Sequence, residues 1–178
     1  MNGKTRKLAV MGMLCALAYG AAAVGRVPLV LFLKYDPKDI VLAVSGFLFG
    51  PAAAFSAAAA VSLAEMLTVS ETGLWGFVMN LFSSSAFACT AAFVYRRGRN
   101  GAVAGVLCGW ICMVSAMMLW NYLIAPLYMG YPRKAVAELL IPVFLPFNLL
   151  KGGLNAGITL LIYKPVLSAA RHVCPVDQ

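Results

Sequence analysis

Four segments of this chain, residues 8–25, 40–64, 72–95 and 100–132, contain no Asp, Glu, Lys or Arg, and a fifth apolar segment covers 139–163. About 20 apolar residues cross the hydrocarbon core of a bilayer, so the pattern predicts a polytopic membrane protein. The spans fall at 8–30, 40–50, 51–69, 74–95, 101–126 and 139–163. Residues 40–64 could form one helix, but Gly50-Pro51 interrupts them. Gly closing one helix and Pro opening the next is the favoured order at helix ends. The expected fold is an all-α integral membrane bundle of six transmembrane helices. Both termini are cytoplasmic, and a single transmembrane domain covers 1–178.

The polar exceptions inside these segments carry the next signal. Lys151 lies in Leu145-Pro146-Phe147-Asn148-Leu149-Leu150-Lys151-Gly152-Gly153-Leu154-Asn155. A charge at the centre of a span costs about 2.5–3.5 kcal/mol on insertion scales, so it faces a partner, a cavity or a ligand. In a helix Asn148, Lys151 and Asn155 fall at i, i+3 and i+7, on one face. This stripe is the expected substrate site. As an unpaired ammonium, Lys151 is expected to be replaceable by Met with no loss of insertion or folding. Glu65 is the other candidate for a charge within the membrane, while Asp36, Asp39, Glu71 and Glu138 fit an outer face.

Composition sharpens the class. Hydrophobic residues make up 62% of the 178 residues and charged residues 11%, with a mean hydropathy of +0.87. A soluble domain is nearer one-quarter charged. The net charge of +8 does not point to nucleic acid, because the basic residues cluster at segment ends. Lys4, Arg6, Lys7, Arg96, Arg97, Arg99, Lys164 and Arg171 form a cytoplasmic set, against Arg26, Lys34, Lys38, Arg133 and Lys134 outside. A five-span arrangement with the amino terminus outside gives the same split; the Gly50-Pro51 break favours six. The basic start and long apolar run exceed a signal-peptide h-region.

Other chemistry is sparse. The five cysteines, Cys15, Cys89, Cys108, Cys112 and Cys174, suggest no disulfide framework. Cys108 and Cys112 are one helical turn apart, but the single histidine is His172, in the tail, so no metal site is expected. The chain has no phosphate-binding loop, no G-x-S-x-G and no H-E-x-x-H, and it is not expected to be an enzyme. Gly12-x-x-x-Ala16-x-x-x-Gly20 is a small-residue stripe that lets another helix approach closely. That helix belongs either to the same bundle or to another membrane subunit.

The larger motifs are Phe32-Leu33-Lys34-Tyr35-Asp36-Pro37-Lys38-Asp39-Ile40, Gly46-Phe47-Leu48-Phe49-Gly50-Pro51 and Leu67-Thr68-Val69-Ser70-Glu71-Thr72-Gly73. Asn121 then precedes Pro126-Leu127-Tyr128-Met129-Gly130 and Pro132-Arg133-Lys134-Ala135-Val136, and Tyr163-Lys164-Pro165 follows the Lys151 segment. In this order and spacing, from residue 8 to about 165, the chain resembles the riboflavin-specific S components of energy-coupling factor (ECF) vitamin transporters. The resemblance implies a substrate-capturing subunit in a prokaryotic cell membrane. It implies partnership with a transmembrane T component and two cytosolic ATP-binding-cassette ATPases. It further implies that Asn121, Asn148 and Lys151 hold the flavin ring, that the loop between the first two spans covers the pocket, and that Gly12, Ala16 and Gly20 meet the T component. Toppling of the subunit in the membrane would carry the vitamin inward.

The residues suit a flavin on their own chemistry. The pyrimidine edge of isoalloxazine presents carbonyl, N–H and carbonyl in a row; Asn offers donor and acceptor, and Lys donates. Trp120, Tyr122 and Met129 could wall the apolar part of the ring. Asp36, Lys38, Glu65 and Thr68 could meet the ribityl hydroxyls. Riboflavin is then cargo, and no cofactor is expected. Another vitamin, a stand-alone secondary transporter coupled through Glu65 and Lys151, and a purely structural subunit are the alternatives.

Overall fold

The computed structural model describes residues 3–25, 27–30, 33–69, 73–98 and 101–173. The first helix, α1, spans Gly3–Val24. It stops short of the expected residue 30: the Gly25 N–H bonds Ala21 O at 2.8 Å, and the chain turns extended. Val27 and Val30 are β-branched and Pro28 has no N–H to give a helix, so the apolar run continues as strand. Strands β1 (Val27–Val30) and β2 (Leu33–Tyr35) pair antiparallel, with Val27 opposite Tyr35 and Pro28 opposite Lys34.

Helix α2 (Lys38–Phe49) is 12 residues long, about 18 Å at about 1.5 Å per residue. That is well short of a roughly 30 Å hydrocarbon core. Ten of its residues are nonetheless buried, because α1, α3, α4 and α8 all pack on it. Gly50 ends it with φ 99°, a backbone conformation that side chains disfavour, and Pro51 opens α3 (Pro51–Thr68). The chain reverses there. Gly46 of α2 approaches Ala54 of α3, while Lys38 at the other end meets Glu65.

Helix α4 (Gly73–Tyr95) and α5 (Gly101–Leu123) form the closest antiparallel pair. A Cβ on Gly105 would lie 2.5 Å from Ala91 O, and one on Gly109 would lie 2.6 Å from Phe87 O. Only glycine permits such backbone contact. The fifth span, expected to reach 126, ends at Leu123, and short α6 (Ala125–Met129) and α7 (Arg133–Leu139) follow. A π-helical turn, Leu140–Phe144, holds Pro142 and leads into α8 (Leu145–Val173). The last helical rod therefore begins before the expected residue 139.

Among the described residues, five helical stretches are long and apolar enough to cross a membrane: Lys4–Val24, Pro51–Thr68, Gly73–Tyr95, Gly101–Leu123 and Arg133–Ala170. The protein is a helical, multi-pass membrane protein, with one short β-ribbon added to the all-α expectation.

Candidate functional site

Helix α8 is two-faced where the stripe was expected. Leu149, Leu150, Leu154 and Leu161 are exposed, while Asn148, Lys151 and Asn155 are buried against neighbouring helices. The ammonium of Lys151 is not unpaired. Its Nζ lies 3.4 Å from Asp39 Oδ2, which also accepts a 3.1 Å hydrogen bond from Asn155 Nδ2. Ser84 of α4 donates to Asp39 Oδ1 at 2.5 Å, and the Tyr35 hydroxyl donates to Asn155 Oδ1 at 2.8 Å.

Two expectations are corrected here. Asp39, expected on an outer face, is not exposed there; it is fully buried inside the bundle in the first turn of α2, where the positive end of the helix dipole favours a carboxylate. Lys151→Met would also not be free of cost. It would strip Asp39 of its cation, and breaking a buried pair costs about 3–5 kcal/mol. The low end applies, because Ser84 and Asn155 still donate.

A second network lies alongside. Lys38, expected in an outer loop, is fully buried in α2. Its Nζ lies 3.1 Å from Asp36 and is also paired with Glu65, and Asn80 donates to Glu65 at 3.1 Å. The Lys38 backbone N–H reaches Asp36 Oδ1 at 3.3 Å. Asp36, Lys38 and Glu65 thus come together, bonded to one another. Thr68 is exposed instead, donating to Ala64 O at 2.7 Å and accepting from Tyr19 at 2.9 Å. Burial, then the charges of Asp39 and Asp36, push the Tyr35 hydroxyl up to about 12, so it stays a donor at neutral pH.

Asn121 completes the polar set. Helices α5 and α8 are antiparallel: Met113 approaches Gly152, and Met118 packs against the cluster that holds Phe144, just before α8. Asn121 on α5 and Asn148 on α8 therefore lie at the same end. Their amides donate to Met117 O at 2.8 Å and Phe144 O at 2.7 Å, each four residues back along the chain. The remaining amide groups make no hydrogen bond among the described residues. Trp120 is half-buried against Phe82, at 5.6 Å between ring centroids. Tyr122, beside buried Asn121, is 46% exposed. Met129 packs on the small Ala125, Val136 and Phe144 cluster.

The stripe on α1 faces outward. Gly12 and Ala16 are exposed, and a Cβ on Gly12 or Gly20 would meet nothing within 4 Å. Leu14, Ala18 and Ala22 make the inward contacts. The contacts that α1 makes within the bundle are thus on its other face, among the described residues. Residues 26, 70–72 and 99, together with the side chains of Lys34, Tyr128, Arg171 and His172, lie outside what is described, as does Cys174.

Sequence reasoning missed Asp39, Tyr35, Ser84 and Asn80 as members of this cluster. None is flagged by spacing within its own segment, since each acquires its role from another helix.

A family model for the substrate-specific component of ECF transporters matches residues 6–163. The chain belongs to that family. As an S component it is part of a transporter and not an enzyme. The riboflavin transporter RibU of Streptococcus thermophilus is 25% identical over 177 residues, covering 92% of this chain and 84% of that protein. A solved S component of a bacterial ECF transporter superposes with a TM-score of 0.78 at 22% identity, covering 93% of this chain and 97% of the other. That likeness shows the fold.

Proposed function

We propose that this S component captures riboflavin and delivers it across a prokaryotic cell membrane together with a T component and two cytosolic ABC ATPases. The observation that carries the reading is the buried set of Asn121, Asn148 and Lys151 at one end of the α5–α8 pair. Two amides and one ammonium match the carbonyl, N–H, carbonyl edge of an isoalloxazine ring. The likeness to a riboflavin transporter supports the same cargo. Trp120 lies next to Asn121 as an aromatic wall, and Asp36, Lys38 and Glu65 would exchange mutual bonds for ribityl hydroxyls.

The bundle has six spans in one transmembrane domain, with α2 as a short second crossing buried by its neighbours. Successive helices reverse direction, which brings both termini to the end that carries exposed Arg96 and Arg97. That end is cytoplasmic by the positive-inside rule. Burial of Lys38 removes one cation from the outer count and widens the asymmetry. Gly12, Ala16 and Gly20 are the face for the T component, and the flavin is cargo rather than cofactor.

Isothermal titration of the purified chain in detergent tests this. One riboflavin per chain should bind without ATP. Clear heat with a different vitamin and none with riboflavin would overturn the cargo while leaving the family intact.

A further inference from the structure

Asp39 has no part in the reading above, yet the proposed binding face converges on it. Its Oδ2 serves two residues of the α8 stripe at once, Lys151 at 3.4 Å and Asn155 at 3.1 Å, and its Oδ1 takes the Ser84 hydroxyl at 2.5 Å. Asn155 passes the connection on to Tyr35 at the end of β2. The other buried ammonium, Lys38, is held by Asp36 and Glu65. Each buried lysine thus has its own carboxylate partners.

We propose that Asp39 is a positioning residue of the ligand site. It is the counter-ion that sets where the Lys151 ammonium sits, and it fixes the first turn of α2 and the end of the ribbon onto α8. The proposal rests on the reading of Lys151 as a ligand contact. An ammonium has three N–H donors, and among the described residues Lys151 is paired with Asp39 alone. The other donors remain for a carbonyl of the cargo. Without the carboxylate, a four-carbon stem with three rotatable donors has nothing to hold its direction. Asp39 would therefore raise affinity without touching the cargo.

Asp39→Asn isolates the charge. The new amide can donate to Ser84 while its oxygen still accepts from Asn155, so shape and hydrogen bonds persist. Four chains are compared: parent, Asp39→Asn, Lys151→Met and the double variant. Riboflavin affinity is read by flavin fluorescence, and melting is followed without ligand. Asp39→Asn should weaken riboflavin on the order of tenfold in the parent, the scale of a charge-assisted hydrogen bond. In the Lys151→Met background it should change affinity by less than about twofold, because the group it positions is gone. A purely structural carboxylate would weaken binding equally in both backgrounds, and that result overturns the proposal, as does unchanged affinity in the parent. Without ligand, Lys151→Met should melt lower than the parent and the double variant should recover, since no lone charge is left buried. Additive melting losses overturn the pairing. A chain carrying Asp39→Asn that folds only together with Lys151→Met supports it, and one that folds in neither background overturns it. The ligand-free melting series judges the pair by itself, and the parent's riboflavin titration judges the cargo by itself.

Discussion

Single side chains decide what the polar end of the bundle can hold. Asn148 spends one N–H on Phe144 O, and the rest of its amide is proposed to meet the cargo. Asn148→Leu should therefore fold but lose a desolvated hydrogen bond to riboflavin, costing roughly 1.5–3 kcal/mol, or about 10- to 150-fold in affinity. Titration calorimetry of parent and variant checks this, and equal affinities would remove Asn148 from the site. Tyr35 makes a prediction in pH. Its folded-state value is raised from 10.0 to about 12 by burial first and then by Asp39 and Asp36. An unfolded chain loses this proton at the lower value, so the Tyr35 contribution is complete below pH 10 and disappears as pH rises through about 12. Tyr35→Phe should lose that part of the alkaline fall in melting temperature. Identical parent and variant curves of melting temperature against pH would show that the phenol contributes nothing.

Between helices, glycine sorts intimate contacts from open faces. Gly109 sits where a Cβ would meet Phe87 O at 2.6 Å, so Gly109→Leu must push α4 and α5 apart. Overpacking of this kind costs about 1–3 kcal/mol, and forced backbone separation belongs at the upper end. The variant should melt clearly lower than the parent. Gly12 is the control, since a side chain there meets nothing within 4 Å. Gly12→Ala should melt no lower than the parent, because alanine is favoured over glycine in a helix by about 1 kcal/mol. If Gly12→Ala is the more damaging change, the outward orientation of α1 is wrong.

Across the whole molecule, capture and transport separate. The proposed pocket residues lie on α2, α3, α5 and α8 and, for Asp36, just before α2, while the exposed stripe lies on α1. Ala16→Leu puts a branched side chain where two backbones are proposed to touch. The isolated subunit should still bind riboflavin with parental affinity. ATP-driven uptake into vesicles by the assembled transporter should fall sharply, with weaker co-purification of the T component. Lost binding with intact assembly would return the stripe to internal packing.

The sequence by itself determined the membrane class, because blocks free of charge long enough to cross a bilayer leave few other folds. It determined the break at Gly50-Pro51, where a positive φ and a missing N–H are local properties. It also determined that Asn148, Lys151 and Asn155 share a face, since helical spacing needs no other element. The end of α1 was less legible, because an apolar run reads alike as span and as ribbon until Gly25 turns the chain. Only the tertiary structure decided that Lys38 and Asp39 begin a buried helix and that each is matched to a different charge: Glu65 on α3 and Lys151 on α8. It alone left Tyr122 half exposed beside buried Asn121. Hydropathy places a residue within an apolar element, whereas ion pairs and ligand walls depend on which helix ends meet, and that is settled by packing between segments far apart in the chain.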